Sequence, residues 1–175
     1  MFYDSSLALT GGDNGMSISD ILFWALYVLV VPVVFVTMEG VAWFLHKYLM
    51  HGFGWPLHED HHRPSGKRLQ KNDVFGVFFA IVSFVFILTG MLSGFDVKFA
   101  VGIGIMLYGV GYFLVHDVFF HRRIRIGYRP KSRYMKRVIA AHGIHHQIST
   151  AHTGVNFGFL YASGKSGTIP RAVRT

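Results

Sequence analysis

Three long apolar segments constrain the fold of this chain more than any other feature of its sequence. They are Ile21–Leu45, Val74–Phe95 and Val97–Val115, and the only charged residues within them are Glu39 and Lys98. Each segment has roughly the length of about 20 residues that an α-helix needs to cross the hydrocarbon core of a bilayer. A single residue separates the second segment from the third, which predicts a tight helical hairpin. The sequence therefore predicts an all-α membrane protein with three to four transmembrane helices and a histidine-rich helical cap.

The sequence outside these segments predicts one domain with two short tails. A chain of 175 residues has room for a single domain, which we place at residues 18–162. Residues 1–17 are rich in Gly, Asp and Ser and contain no Lys or Arg, so they lack the positive start of a cleavable signal peptide. We expect a flexible N-terminal tail there and a flexible C-terminal tail over residues 163–175.

The uneven distribution of cations predicts how the chain is oriented. If three helices cross the membrane, residues 46–73 and 116–175 lie on one side and contain sixteen of the seventeen Lys and Arg residues. The positive-inside rule makes that side, with the histidines and the C-terminus, cytoplasmic and puts the N-terminus outside. The net charge of +8 would also suit nucleic-acid binding. A DNA-binding domain, however, would not contain three long apolar segments.

Eleven histidines are the second unusual feature, and ten of them repeat one ordered pair of motifs. A His-x4-His motif closes the first apolar segment and is followed by His-x2-His-His, and the same order follows the third segment. The ten residues are His46, His51, His58, His61, His62, His116, His121, His142, His145 and His146. His152 falls outside both copies, so we leave it out of the predicted metal ligands.

Helical geometry explains one motif and leaves the other open. Positions i, i+3 and i+4 share one helix face, so His-x2-His-His presents three imidazoles together. Pro56 and Pro64 bracket the short helix predicted for the first copy. Positions i and i+5 point about 140° apart on an ideal α-helix. The His-x4-His pair can serve one site only if the helix end unwinds; otherwise its members address different metals. Ten imidazoles exceed the needs of one ion, which predicts two metals.

The ligand type alone does not identify the metal. Imidazole suits Zn, Cu, Fe and Ni alike. The absence of cysteine excludes thiolate zinc sites and iron–sulfur clusters. A haem held by two histidines would need them within the bilayer, and no histidine lies inside a predicted span. A membrane subunit that carries metal or haem without catalysis is the alternative from another functional class.

Four acidic residues are candidates to orient metal-bound imidazoles, which usually donate their free N–H to a carboxylate or carbonyl. Asp117 lies four residues before His121, and Glu59 and Asp60 lie within the first His-x2-His-His helix. Glu39 lies in the first span, where an acid is costly and usually functional. It is too far along its own helix to reach His46, so it would have to pair with a metal ligand from a neighbouring helix. The alternative is an acid near the membrane interface that reaches water.

Beyond the histidines, several strings resemble a known family. They are HKYLMHGFGWPLHEDHHRP, NDVF at Asn72–Phe75, FLVHDVFFHRR, AAHGIHHQ and FGFLYA, within roughly residues 38–162. In these strings the chain is similar to the bacterial and plant β-carotene hydroxylases of the fatty-acid hydroxylase superfamily. The resemblance implies a non-haem di-iron centre held by the ten motif histidines, with O2 as co-substrate. It also implies hydroxylation of β-carotene at ring C3 and C3′, giving zeaxanthin by way of β-cryptoxanthin.

The resemblance further implies partners and a location. The sequence has no flavin or dinucleotide fingerprint, so we expect an external electron donor, ferredoxin. An acidic donor could dock on a run of cations, although the positive-inside rule alone accounts for them. The run comprises Arg122, Arg123, Arg125, Arg129, Lys131, Arg133, Lys136 and Arg137. We expect the carotenoid to enter from the bilayer, here a bacterial inner membrane. Hydroxylases and desaturases of fatty acids, sterols and other carotenoids share such histidine motifs and stay open as alternatives.

Overall fold

The computed structural model of the chain describes residues 17–63, 69–148, 150–151 and 154–162. The regular elements in this part of the chain are all helical, which confirms the predicted all-α class. They are α1 (Ile18–Phe44), π1 (Leu45–Phe53), α2 (Trp55–His62), α3 (Asp73–Leu92), α4 (Val97–Tyr112), π2 (Phe113–Phe120) and α5 (Arg133–Ile148). The predicted tails (apart from Ser17), Pro64 and His152 lie outside the described residues.

Three helices are long and apolar enough to cross a membrane. They cover Ile18–Phe53, Asp73–Leu92 and Val97–Phe120. Large apolar side chains such as Val28 and Phe84 point outward along them, as expected where lipid replaces water around the helices. The first and third helices run past the predicted ends because each His-x4-His motif continues the helix in a wider form instead of terminating it.

Local sequence signals set the helix boundaries. Ser17 and Asp20 form a capping box at the start of α1, with the Ser17 hydroxyl accepting the Asp20 N–H at 3.1 Å. Between α3 and α4 the chain reverses through Gly94 and Phe95, both in the left-handed region at φ 80° and 62°. Asp96 then caps α4 by accepting the Lys98 N–H at 2.9 Å. The predicted hairpin of two spans follows from this tight turn.

Helix α4 lies between α1 and α3 and approaches both closely at glycines. A Cβ on Gly102 would lie 2.7 Å from the Ile87 backbone nitrogen of α3. One on Gly104 would lie 2.7 Å from Val34 Cβ of α1. Small residues at such positions allow helix backbones to pack in lipid, where no hydrophobic force drives association. The bundle thereby holds the ends of α1 and α4, which carry the histidines, side by side.

The Gly104 contact yields a prediction with a matched control. Gly104→Val should force α1 away from α4 and destabilise the bundle by about 1–3 kcal/mol, the usual cost of overpacking. Gly109→Val, on the same helix with nothing within 4 Å of the added Cβ, should have little effect. Thermal unfolding in detergent would compare the two variants. Equal midpoints would contradict the close approach of α1 and α4.

Candidate metal centre

Both His-x4-His motifs lie in π-helical turns, and this explains their spacing. His46 and His51 are in π1, and their ring centroids are 5.1 Å apart. His116 lies within π2 and His121 caps its end, with the His121 N–H donating to the His116 carbonyl at 2.9 Å and ring centroids 4.6 Å apart. Hydrogen bonding from i to i+5 widens the helix and stacks residues five apart. Of the two possibilities left by the sequence, the local change in helix geometry is the one observed.

The ten motif histidines converge in two adjacent clusters at one end of the bundle. In each, the candidate ligand atoms all lie within 4.8 Å of one another. The first cluster contains His46, His51, His58, His62 and His145. The second cluster contains His61, His121, His142 and His146. His116 adjoins the second cluster, because its Nε2 lies 2.9 Å from Nε2 of His61. The structure thus brings together all ten residues predicted from the sequence.

Each His-x2-His-His motif is divided between the clusters in the same way. Its outer histidines stay with the His-x4-His pair that precedes the motif, whereas its middle histidine crosses to the other cluster. His61 therefore joins the second cluster, and His145 joins the first. The three imidazoles do share a helix face, as expected, but that face borders both clusters. The exchange gives the centre an approximate two-fold arrangement and ties α2 to α5.

Backbone carbonyls fix the orientation of three rings in the first cluster. The Nδ1 atom of His46 lies 2.9 Å from the Phe157 carbonyl, and that of His51 lies 2.7 Å from the Thr150 carbonyl. The Nδ1 atom of His145 lies 2.7 Å from the Val155 carbonyl. A carbonyl can only accept, so each ring carries its proton on Nδ1 and exposes the Nε2 lone pair.

These lone pairs face one another at close range. Nε2 of His51 lies 3.2 Å from Nε2 of His145, and Nε2 of His46 lies 3.2 Å from Nε2 of His58. The Nδ1 atom of His58 donates to Asn72 Oδ1 at 2.6 Å, so its Nε2 is also unprotonated. Two lone pairs with no proton between them repel, and a bound cation removes the conflict. The donor set therefore fits a metal ion on this geometry alone.

Burial keeps these imidazoles in the neutral form that binds metals. It lowers the pKa of His58 and of His121 to about 4 and that of His145 to about 3. Neighbouring imidazoles, and Arg123 in the case of His121, act in the same direction. At neutral pH the centre is a buried shell of uncharged nitrogen donors. Such a shell suits a borderline transition metal and not Mg²⁺ or Ca²⁺, which prefer oxygen ligands.

Arg123 contacts several of the side chains that lie next to the histidines of the second cluster. Its guanidinium lies 2.6 Å from Asp73 Oδ1 and 3.0 Å from Asp117 Oδ1, and it also donates to Gln70 Oε1. The same Gln70 oxygen lies 3.0 Å from Nδ1 of His61. The sequence grouped Arg123 with cations that could dock a partner. Its side chain is only 18% exposed and is directed into the molecule, whereas the other seven cations of that run are exposed.

The four predicted acidic residues have different surroundings. Asp117 Oδ2 lies 3.5 Å from Nδ1 of His116, one residue before it, so the expected pairing with His121 is replaced by a contact with the other histidine of that motif. Glu59 forms an exposed ion pair with Arg63 at 2.8 Å. Asp60 Oδ2 accepts the Lys71 N–H at 2.8 Å. Glu39 accepts hydrogen bonds from Tyr108 and from the backbone of residues 159–161, in place of the expected pairing with a metal ligand.

Several residues that support the histidines were not predicted as site residues. They are the side chains of Gln70 and Asn72 and the carbonyls of Thr150, Val155 and Phe157. Asn72 lies in one of the strings that carried the family resemblance, and Phe157 opens another. These strings were therefore a usable signal for the two positions, although they do not indicate which histidine each residue supports.

Asn72 provides a test of these supports. Asn72→Ala removes the acceptor for His58 Nδ1 and should lower metal affinity or activity by about 10–100-fold, as expected for partners of metal-bound histidines. Asn72→Asp keeps an acceptor oxygen at the same position and should retain most of the function. Metal retention during titration with a chelator would measure both variants. If the alanine and aspartate variants behave alike, the hydrogen bond does not orient His58.

Comparisons with known proteins agree with this geometry. The sequence model described as "Fatty acid hydroxylase" matches residues 31–163, a range that contains all ten clustered histidines. A protein of Pseudescherichia vulneris named "Beta-carotene hydroxylase" is 40% identical over 134 residues, covering 77% of this chain and 76% of that protein. One of the same name from Pantoea ananas is 38% identical over 141 residues, covering 81% of this chain and 80% of the relative.

A plant relative matches over a shorter part of its own length. "Beta-carotene hydroxylase 2, chloroplastic" of Capsicum annuum is 35% identical over 130 residues, which cover 71% of this chain and 41% of that protein. No solved structure matches the chain.

Proposed function

This chain belongs to the fatty acid hydroxylase family, and from that premise we propose that it hydroxylates β-carotene at C3 and C3′ of the rings, giving zeaxanthin by way of β-cryptoxanthin. The observation that carries the proposal is the pair of buried histidine clusters in a chain that is 38–40% identical, over 134 to 141 residues, to proteins named beta-carotene hydroxylase. The family supports a hydroxylase and the relatives support a carotenoid substrate. The positions of attack on the rings are part of the proposal.

We propose two iron ions as the metals, one in each cluster. Imidazole nitrogens suit iron, and hydroxylation requires a metal that changes oxidation state, which zinc does not. When bound, the iron ions would supply the oxidising chemistry by which O2 hydroxylates an unactivated C–H bond. His46, His51, His58, His62 and His145 would hold the first ion. His61, His116, His121, His142 and His146 would hold the second.

The chain itself orients these ligands and excludes water from them. His46, His58 and His145 are 0–1% exposed, so solvent does not reach the interior of the first cluster. Phe159 stacks on His46 with ring centroids 4.7 Å apart, and Tyr112 stacks on His116 at 4.5 Å. A dry site limits side reactions of the oxidant with water.

The reaction balance calls for an electron donor. Hydroxylation of one C–H bond consumes O2, two electrons and two protons, and it releases water beside the alcohol. The chain offers no flavin or dinucleotide fingerprint, so we propose that an external protein, ferredoxin, delivers the electrons. The exposed cations that follow His121 along the chain, among them Arg122, Arg125 and Arg129, suit an acidic donor surface.

We also propose in which membrane the chain lies and how it is oriented there. The cluster end of the bundle would face the cytoplasm of a bacterial inner membrane, with the N-terminus outside, because sixteen of the seventeen cations fall within residues 46–73 and 116–175 of the sequence. A carotenoid dissolved in the bilayer would then reach the metals laterally from between the spans. Water-soluble electron donors would reach them from the cytoplasm.

Expression in cells that accumulate β-carotene tests the substrate. We expect pigments that gain first one and then two hydroxyl groups, with both oxygen atoms derived from labelled O2. A variant with His142→Ala, produced at the same level, serves as the control and should leave β-carotene unchanged. Unchanged β-carotene with the unmodified protein, iron loaded and a donor supplied, would contradict the proposal. Hydroxylated fatty acids or sterols in its place would favour the corresponding alternative.

A further inference from the structure

Residues 154–162 form a strap that crosses the first cluster. Its Val155 and Phe157 carbonyls accept the Nδ1 protons of His145 and His46 at 2.7 and 2.9 Å. Its Phe159 ring stacks on His46 with an interplanar angle of 16°. The strap has no helical or strand hydrogen bonding of its own among the described residues, so its position depends on what anchors it.

Glu39 is the anchor that the described contacts provide from within the membrane bundle. Its Oε1 accepts the backbone N–H groups of Phe159, Leu160 and Tyr161 at 3.0, 3.0 and 2.9 Å. Its Oε2 accepts the Leu160 N–H at 3.1 Å and the Tyr108 hydroxyl of α4 at 2.8 Å. Both oxygens of one carboxyl group thus bind three consecutive amides of the strap. An acid in a span is costly, and this set of donors offsets the cost.

The backbone of the strap is shaped to approach Glu39. A Cβ on Gly158 would lie 2.9 Å from Glu39 Oε1 and 2.7 Å from the Tyr161 carbonyl oxygen. Only glycine therefore allows the strap to close over the carboxyl group at this point. Gly158 lies directly between Phe157, which supports His46, and the three amides that bind Glu39.

We propose that Glu39 is a positioning residue that sets the metal affinity of the first cluster by holding the strap in place. Glu39 and His46 lie on one continuous helix, so the strap joins two points of that helix to α5 through His145. If the strap moves, the His46 and His145 rings lose the carbonyls that fix their protons on Nδ1. In the second cluster, the hydrogen bond that orients His61 comes from Gln70 and not from the strap, although Phe159 of the strap also packs against His116 and His142. The inference rests on the proposed two-metal function.

Iron retention in purified full-length variants tests this inference. Protein loaded with Fe(II) without oxygen would be challenged with a chelator and its remaining iron counted per chain. Glu39→Ala should weaken one site by about 10–100-fold and so retain about one ion where the unmodified protein retains about two. Glu39→Gln keeps one acceptor oxygen and should restore most of the second ion. Thr37→Val, a nearly isosteric change at an exposed position of the same helix, should match the unmodified protein.

Combined variants identify which ion is lost. Adding His51→Ala to Glu39→Ala should leave the remaining ion in place, because His51 belongs to the cluster already emptied. Adding His142→Ala should remove it. If Glu39→Ala retains both ions, or loses both equally while still folded, the inference is wrong although the proposed function stands. If Glu39→Ala does not fold, Gly158→Ala takes its place with the same expected loss of one ion. Unmodified protein that binds no iron would overturn the proposed function and the inference together.

Discussion

Replacement of His61 by alanine is expected to abolish hydroxylation. The Nε2 atom of His61 lies 2.9 Å from that of His116 and 3.1 Å from that of His121, in the middle of the second cluster. Its side chain is 4% exposed, so its loss leaves a buried gap that no other donor fills. Activity should fall by more than the about 10–100-fold loss expected when a hydrogen-bond partner of a metal-bound histidine is removed.

Pigment conversion in cells that accumulate β-carotene would measure this loss, with protein levels compared by immunoblot. Gln70→Ala, which removes only the Nδ1 partner of His61, is the graded control and should reduce conversion without abolishing it. His152→Ala should leave conversion unchanged, because that histidine lies outside both motifs. Conversion by the His61 variant at or above the level of the Gln70 variant would contradict its place among the ligands.

Removal of metal is expected to inactivate the protein and to destabilise the cap formed by π1, α2, π2 and α5. Without a cation, the unprotonated Nε2 atoms of His51 and His145 face each other at 3.2 Å inside the protein. An ion present at about 1,000 times its Kd stabilises the folded state by about 4 kcal/mol. For a chain of this size that corresponds to a fall of roughly 10 °C in the thermal midpoint when the ion is removed.

Thermal unfolding with and without a chelator, followed by readdition of Fe(II), would measure this effect. A double variant with His58→Ala and His142→Ala lacks one ligand in each cluster and should show no shift on chelation. Recovery of the midpoint and of activity with Fe(II) is expected for the unmodified protein. A midpoint that chelation leaves unchanged, in protein shown to contain iron beforehand, would mean that the cap is stable without metal.

The membrane fold was predictable because the signal is local. A bilayer requires about 20 consecutive apolar residues to be helical, whatever their neighbours are. The same rule could not predict where the helices end, since His46 and His51 do not look like residues of a span. The π-helical turn brings His46 and His51, which are five residues apart, to one cluster with residues of the second motif and of the strap. Those partners are distant in the sequence and come together only in the folded protein.

The candidate ligands were predictable as a set but not in their arrangement. Composition and spacing identified the ten histidines, and helix geometry grouped His58, His61 and His62 on one face. The crossing of His61 to the other cluster depends on how α2 and α5 pack, which no local pattern encodes. The backbone carbonyls that orient the histidine rings are the hardest contacts to predict from sequence, because every residue carries a carbonyl. Nothing in the types of Val155 and Phe157 indicates that their carbonyls orient histidines.

Glu39 and Arg123 show the same limit on what the sequence can predict. The position of Glu39 in a span predicted importance, yet its contacts with three backbone amides follow from the path of a segment 120 residues later in the chain. Arg123 sits in a basic run of the sequence and only the fold separates it from its exposed neighbours. Residue type predicted that each would need a partner, whereas topology determined which partner it found.

Metal analysis of the purified, unmodified protein tests the proposed two-metal centre most directly. Protein isolated without chelators and without oxygen should contain about two iron ions per chain, no haem absorption band, and no comparable amount of zinc. One ion per chain, a haem spectrum, or zinc in both clusters of an active preparation would contradict a di-iron centre built from these ten histidines.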